Sequence, residues 1–169
     1  MSPEILVRPV QPTDITDIEA LHAVAFGPGR FTRTAYRVRE DLLPFSKHCL
    51  AAFLDGQLAA SIRFAPVRIG GKGGALLLGP LAVAPALKGQ GIGKGLVADG
   101  LDRARERGIA LVILVGDKPY YERFGFSKIP PECIVLPGAV NPDRFLVAEL
   151  TAGALEQYRG MVTADLSVM

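Results

Sequence analysis

The chain has 169 residues, 49% of them apolar and 21% charged, which suits a folded domain with a core of its own and excludes the charge-rich, apolar-poor composition of disorder. Nineteen basic residues stand against 17 acidic ones, and a net charge of +2 is too balanced for a general attraction to nucleic acid or to an anionic membrane. A local basic site is still compatible with that balance.

Ile5 to Val10 reads as a first strand. Pro12-Thr13-Asp14 then offers a capping residue for a helix whose apolar positions Ile15, Ile18, Leu21 and Ala25 recur at helical spacing. Gly27-Pro28-Gly29 breaks that helix, and Thr32 is placed to cap a second one that runs to about Leu43, with a strongly basic exposed side. Leu50 to Leu54 and Leu58 to Phe64 are apolar-rich runs joined by Asp55-Gly56, a dipeptide that accepts the positive φ angles of a tight hairpin. The glycine-rich stretch Gly70 to Gly74 reads as a connection into a long strand, Ala75 to Val83, where Gly79-Pro80 predicts a bulge or splay.

From Gly91 the pattern is helical, with Ile92, Leu96, Val97, Leu101 and Ala104 on one face and Gly108 as the stop. Ala110 to Val115 is a strand apolar on both faces, followed by a helical turn near Pro119 to Phe124, a strand from about Phe126 and a last strand at Phe145 to Leu150. The chain has no repeat, low-complexity tract or dividing linker, so residues 1–169 read as a single α/β domain: a mixed sheet with helices on both faces. Cys49 and Cys133 have no companions at zinc-ligand spacing and follow no signal sequence, and no apolar run reaches about 18 residues. Reduced thiols and a cytoplasmic location are the expectation. His22 and His48 share no metal-ligand spacing with each other or with the cysteines, so no metal is assigned.

The segment that carries chemistry is Lys88-Gly89-Gln90-Gly91-Ile92-Gly93-Lys94-Gly95, four glycines between a buried strand and the first turn of an amphipathic helix. At such a start the unpaired backbone N–H groups and the positive end of the helix dipole converge, and glycines let a phosphate come close. Two better-known phosphate loops fail on spacing. A P-loop needs glycine where Lys88 stands and Ser or Thr where Gly95 stands, and the Rossmann fingerprint needs a third glycine where Leu96 stands.

What the segment resembles is the acetyl-CoA pyrophosphate loop of the GCN5-related N-acetyltransferases, in which Arg or Gln is followed after two residues by Gly, one residue, then Gly or Ala. Lys88, Gly91 and Gly93 match that register, with lysine in place of the usual first residue, and Leu81, Val83 and Pro85 match the Leu-x-Val-x-Pro before it. Downstream, Tyr121 to Phe126 resembles the family's Tyr-x-x-x-Gly-Phe motif, and Gly116-Asp117-Lys118-Pro119 is similar to bacterial YhbS-like members. The resemblance in element order runs from about Ile5 to Phe126.

The resemblance implies a central mixed sheet of six to seven strands with about four helices, and an acyl-CoA-dependent N-acyltransferase that moves an acetyl group from acetyl-CoA to a primary amine by direct attack in a ternary complex. It places cofactor contacts at Leu81, Ala82, Val83, Lys88, Gly89, Gln90, Gly91, Ile92, Gly93 and Lys94. Tyr121 becomes the acid that protonates the leaving thiolate, and Tyr120 its packing neighbour. Arg30, Arg33, Arg37 and Arg39, with Tyr36 among them, lie on the segment that borders the acceptor site in this family; the choice is between recognition of an anionic acceptor and a solvated helix face partly neutralised by Glu40 and Asp41, and the solvated face is preferred. Ala75 to Val83 contains no acid, so the general base stays unassigned among Glu19, His22, Glu149 and a water relay. The acceptor is a small-molecule or peptide amine, and a homodimer is common in the family. The competing readings are a non-catalytic acyl-CoA sensor and a binder of another phosphorylated ligand such as a nucleotide.

Overall fold

The computed structural model describes residues 4–27, 34–39 and 42–168. Among them nine strands form one mixed sheet: β1 (Ile5–Pro9), β2 (Leu50–Leu54), β3 (Gln57–Ile69), β4 (Lys72–Val83), β5 (Leu111–Val115), β6 (Ser127–Lys128), β7 (Ile134–Val135), β8 (Phe145–Glu149) and β9 (Gly160–Ala164). The helices are α1 (Ile15–Phe26), α2 (Thr34–Arg39), α3 (Ile92–Glu106) and α4 (Lys118–Tyr121). The main strand order is β1-β2-β3-β4-β5-β8-β6, while β9 joins β3 and β7 joins β9. The pairs β4–β5 and β7–β9 are parallel and the others antiparallel. The strands beyond the expected six or seven are β7 and β9, both in the C-terminal quarter.

Two hairpins build the centre. Asp55 and Gly56 both take positive φ, 51° and 80°, the geometry whose twist matches the strands it joins. Gly70 and Gly71 do the same at 58° and 85°, so the glycine-rich stretch is a two-residue turn, with Ile69 opposite Lys72, and not a long connection. Strand β3 therefore continues five residues past Phe64, through Pro66. A proline is tolerated there because that edge of β3 is covered by β2 over residues 57–62 and by β9 over residues 67–69, leaving a gap between them. Side chains and a loop satisfy the backbone in the gap: the Ser46 hydroxyl donates to the Phe64 carbonyl at 2.6 Å, the Phe64 N–H meets Cys49 Sγ at 3.4 Å, and the Asp165 N–H donates to the Pro66 carbonyl at 3.0 Å.

Alternation along the strands gives the sheet two buried faces. Leu76 and Leu78 of β4 and Val112 and Leu114 of β5 pack with Ile92, Leu96, Val97, Leu101 and Ala104 of α3. Their neighbours Ala75, Leu77, Leu111 and Ile113 face the other way, against Val38 of α2 and a C-terminal group that includes Ile134, Leu136 and Tyr158. Helix α3 packs tightly on the sheet at Gly100, where a Cβ would stand 2.5 Å from the Phe64 ring. The Asp14 side chain makes no cap of α1. It accepts two hydrogen bonds from the Arg8 guanidinium, at 2.7 and 2.9 Å, and one from the Gln11 N–H at 2.8 Å, tying β1 to the helix entry and holding its carboxyl below the usual carboxylate range through the Arg8 bonds.

Helix α2 is shorter than the pattern predicts, since Leu42 and Leu43 are not helical. The expected cap Thr32, together with Arg30, Arg33, Glu40 and Asp41, lies outside the described residues, as does the Tyr36 side chain. No helix among the described residues is long and apolar enough to cross a membrane.

Candidate functional site

The parallel pair β4–β5 keeps its register only from Ala75 opposite Leu111 to Leu77 opposite Ile113. Immediately beyond, the β3–β4 ladder slips: Phe64 faces Leu78, but Ile62 faces Leu81, so the cis-bonded Gly79-Pro80 forms the bulge expected there. Past that point residues 78–83 have no ladder partner on the β5 side among the described residues, and the two strands part. From α2, Arg39 turns inward, 8% exposed, and donates from Nη1 to the Gly79 carbonyl at 2.8 Å. The preferred reading of the α2 arginines as a solvated face therefore fails at Arg39, although Arg37 is exposed. A guanidinium is buried only where acceptors meet it, and the bulge turns a carbonyl toward it.

On the opposite side of the opening, the turn before α3 is built by Gly89 and Gly91, at φ 82° and 83°. The first helical bond runs from the Gly95 N–H to the Gly91 carbonyl at 3.0 Å, which leaves the N–H groups of Ile92, Gly93 and Lys94 at the open end of the helix. A Cβ at Gly89, Gly91 or Gly95 would meet nothing within 4 Å, so the ground in front of the turn is clear. Turn and strand share one cleft of about 290 Å³, lined by Leu81, Val83, Leu87, Lys88, Gly89, Gly91, Ile92, Gly93, Lys94 and Tyr120. That volume is close to the lower end of small-ligand pockets, about 300–1,000 Å³.

Eight of the ten residues expected to contact a cofactor thus line a single cleft. The other two do not: Gln90 is exposed outside it, and the Ala82 side chain is buried, opposite Ser61 in the ladder. Sequence reasoning missed Leu87 and treated Tyr120 as packing, yet Tyr120 is the tyrosine on the cleft wall and Tyr121 is not. Tyr121 lies behind it, with ring centroids 4.9 Å apart, packed edge-on against Phe126 and over Gly116. A Cβ on Gly116 would stand 2.8 Å from the Tyr121 ring, so the glycine makes room for the phenol at the end of β5. Burial, helped by Tyr120 and Asp117, pushes the Tyr121 hydroxyl up to about 12.

The candidate bases do not converge on the cleft. Glu149 pairs with Leu111, at the far end of β5 from Gly116, and accepts the Leu155 N–H at 3.1 Å. Glu19 is exposed on α1, and His22 lines a small cavity of about 20 Å³ with Ser61, Ile62 and Arg63 on the α1 face. Both cysteines are buried, Cys49 against Phe64 and Cys133 against the Tyr158 carbonyl. Among the described residues no three His, Cys, Asp or Glu side chains gather around a point where a metal ion would sit.

Comparison with known proteins agrees with this fold. The profile of the acetyltransferase (GNAT) family matches residues 15–126. The uncharacterized N-acetyltransferase YhbS of Escherichia coli strain K12 is 30% identical over 159 residues, covering 94% of this chain and 95% of its own. The crystal structure of E. coli YhbS in complex with CoA superposes with a TM-score of 0.78 over 98% of this chain and 92% of that one. A GNAT family acetyltransferase of Brucella melitensis, solved with acetyl-CoA, is 32% identical, with a TM-score of 0.64 over 85% of this chain and 94% of the other.

Proposed function

The chain belongs to the GNAT acetyltransferase family, and we propose that it is a single-domain cytoplasmic enzyme that transfers the acetyl group of acetyl-CoA to a primary amine by direct attack in a ternary complex. The observation that carries this reading is the cleft joining the glycine turn of α3 to the unpaired stretch of β4. Its residues fit a CoA-type ligand. The open N–H groups of Ile92, Gly93 and Lys94, with Lys88 and Lys94 beside them, suit a diphosphate, and the parted edge of β4 suits an amide-bearing arm. The relatives solved with CoA and acetyl-CoA support the same ligand.

Acetyl-CoA brings an acyl group already activated as a thioester. The chain's part is to hold that group against the amine and to move protons. The N–H groups of Leu81 and Val83, on the edge of β4 away from β3, orient the arm and polarise the carbonyl, while that of Ala82 points into the β3–β4 ladder. The Tyr-x-x-x-Gly-Phe register assigns Tyr121, seated over Gly116 at the end of β5, as the donor to the departing sulfur, and like any tyrosine it holds its proton at neutral pH, the more so as burial pushes its phenol up to about 12. The amine gives up its proton through water. Neither cysteine lines the cleft, which favours direct attack over an acyl-enzyme.

Calorimetric titration with acetyl-CoA, desulfo-CoA and ATP tests the reading, on the wild type and on Gly91→Asp. The substitution puts a carboxylate in front of the turn and a side chain in a left-handed conformation that costs about 1–2 kcal/mol. Micromolar binding of both CoA compounds by the wild type, lost in a variant that is still folded by circular dichroism, is the expected outcome and justifies an amine screen. No binding of CoA compounds, or tighter binding of ATP, overturns it.

A further inference from the structure

We infer that Tyr120 positions the cofactor, its hydroxyl donating a hydrogen bond to the ligand where the diphosphate passes into the pantetheine arm. The inference rests on the acetyl-CoA reading above. The motif register singles out Tyr121, but consecutive residues on a helix point about 100° apart, so the two tyrosines present to different places: Tyr121 over Gly116 at the end of β5, Tyr120 to the cleft between the glycine turn and β4. Tyr120 is the one that faces it.

Its hydroxyl occupies a corner. A Cβ built on Gly93 would lie 3.2 Å from the Tyr120 oxygen, 3.2 Å from Val83 Cγ2 and 3.7 Å from Leu81 Cδ2. The phenol therefore meets the first turn of α3 and the parted strand β4 at one place, where the phosphate half of the cleft joins the arm half. Gly93 keeps that place open; any other residue would push a methylene into it. The ring is held from behind by Tyr121 at 4.9 Å, by Phe124 at 6.0 Å and by the Arg123 guanidinium 5.4 Å from its centroid. A donor fixed before the ligand arrives loses little freedom on binding, which is what turns one hydrogen bond into affinity. Burial also raises the Tyr120 phenol above its usual range, against the opposing Arg123 charge, so the group stays a donor at neutral pH.

The test compares wild type, Tyr120→Phe, Tyr121→Phe and Gly93→Ala in calorimetric titrations with CoA and desulfo-CoA. One hydrogen bond to a charged or polar group predicts that Tyr120→Phe weakens both ligands by about tenfold. Gly93→Ala, which crowds the hydroxyl, weakens them as well, and adding Tyr120→Phe to it costs little more, because both changes remove one interaction. Tyr121→Phe leaves affinity unchanged. In turnover assays with an amine from the screen, Tyr120→Phe raises KM for acetyl-CoA with kcat held within about twofold, and Tyr121→Phe does the reverse. If the wild type binds CoA and Tyr120→Phe binds it equally well, or loses kcat alone, the positioning role is wrong while the acetyl-CoA reading stands. If the wild type does not bind CoA, that reading falls first and takes this one with it. The binding experiment decides without an acceptor.

Discussion

Helix α3 provides two glycines whose replacement by alanine shifts stability in opposite directions. At Gly100 a Cβ would stand 2.5 and 2.6 Å from Cε2 and Cζ of Phe64, whose side chain is fully buried. Carbon atoms settle at about 3.5–4.0 Å, so the helix and the ring must part by about 1 Å. Overpacking of this kind costs about 1–3 kcal/mol, and an enclosed ring puts Gly100→Ala near the upper end. The helix gains about 1 kcal/mol from the loss of glycine. The net is a loss of about 2 kcal/mol, and at about 2–4 °C per kcal/mol for a chain of this size Tm falls by about 4–8 °C. Gly95→Ala has no such opponent, because its Cβ meets nothing within 4 Å, and Tm rises by about 2 °C. Thermal unfolding followed by circular dichroism reads both. A Gly100→Ala protein as stable as the wild type, alongside a stabilised Gly95→Ala, would show that the contact with Phe64 is not a constraint.

Two further predictions concern the tyrosine seat and the opposite end of α3. Gly116→Ala places a Cβ against the Tyr121 ring and displaces it, so turnover falls by about tenfold or more while CoA affinity changes little; equal losses in both would locate the damage in the fold instead. His48 is buried near Arg107 and Lys47, and burial together with those charges lowers its imidazole from the usual 6.5 to about 4. The neutral form is the one the fold favours, so its contribution is complete above pH 6.5 and is lost as pH falls from 6.5 toward 4, by up to about 3 kcal/mol. Urea midpoints measured across that window flatten in His48→Gln, and an unchanged slope contradicts the assignment.

The parts of the fold legible in the sequence are those whose signal is local. Asp55-Gly56 needs only its own φ angles to announce a hairpin, and the turn before α3 is readable because Gly89, Gly91 and Gly93 sit beside a long amphipathic repeat. The second half of β3 was hidden by Pro66, which is acceptable only because a distant segment leaves that edge uncovered. Strand β9 has a weak pattern, with Val162 alone deeply buried, and pairs with residues far back in the chain. At the site, the glycine turn at Gly91 was legible from its spacing and Leu81 from the family resemblance, whereas the inward turn of Arg39 depends on a carbonyl presented by another element. The choice between Tyr120 and Tyr121 depends on the phase of a four-residue helix, which no periodicity can reveal over so short a length.

The gap on the outer edge of β3, between β2 and β9, has a kinetic meaning. The β2–β3–β4 meander closes through two-residue turns, so its ladders form at almost no loop-closure cost, whereas β9 must return to Val67 from Ala164. The C-terminal strand is then the last to dock and the first to peel away. Amide exchange should divide accordingly, with protection in Leu76 and Val112 approaching that of global unfolding and Val162 released earlier. Such an opening bares the edge of residues 67–69 and leaves the bulge and the glycine turn intact, so a ligand held by α3 and β4 would slow exchange around the cleft far more than at β9.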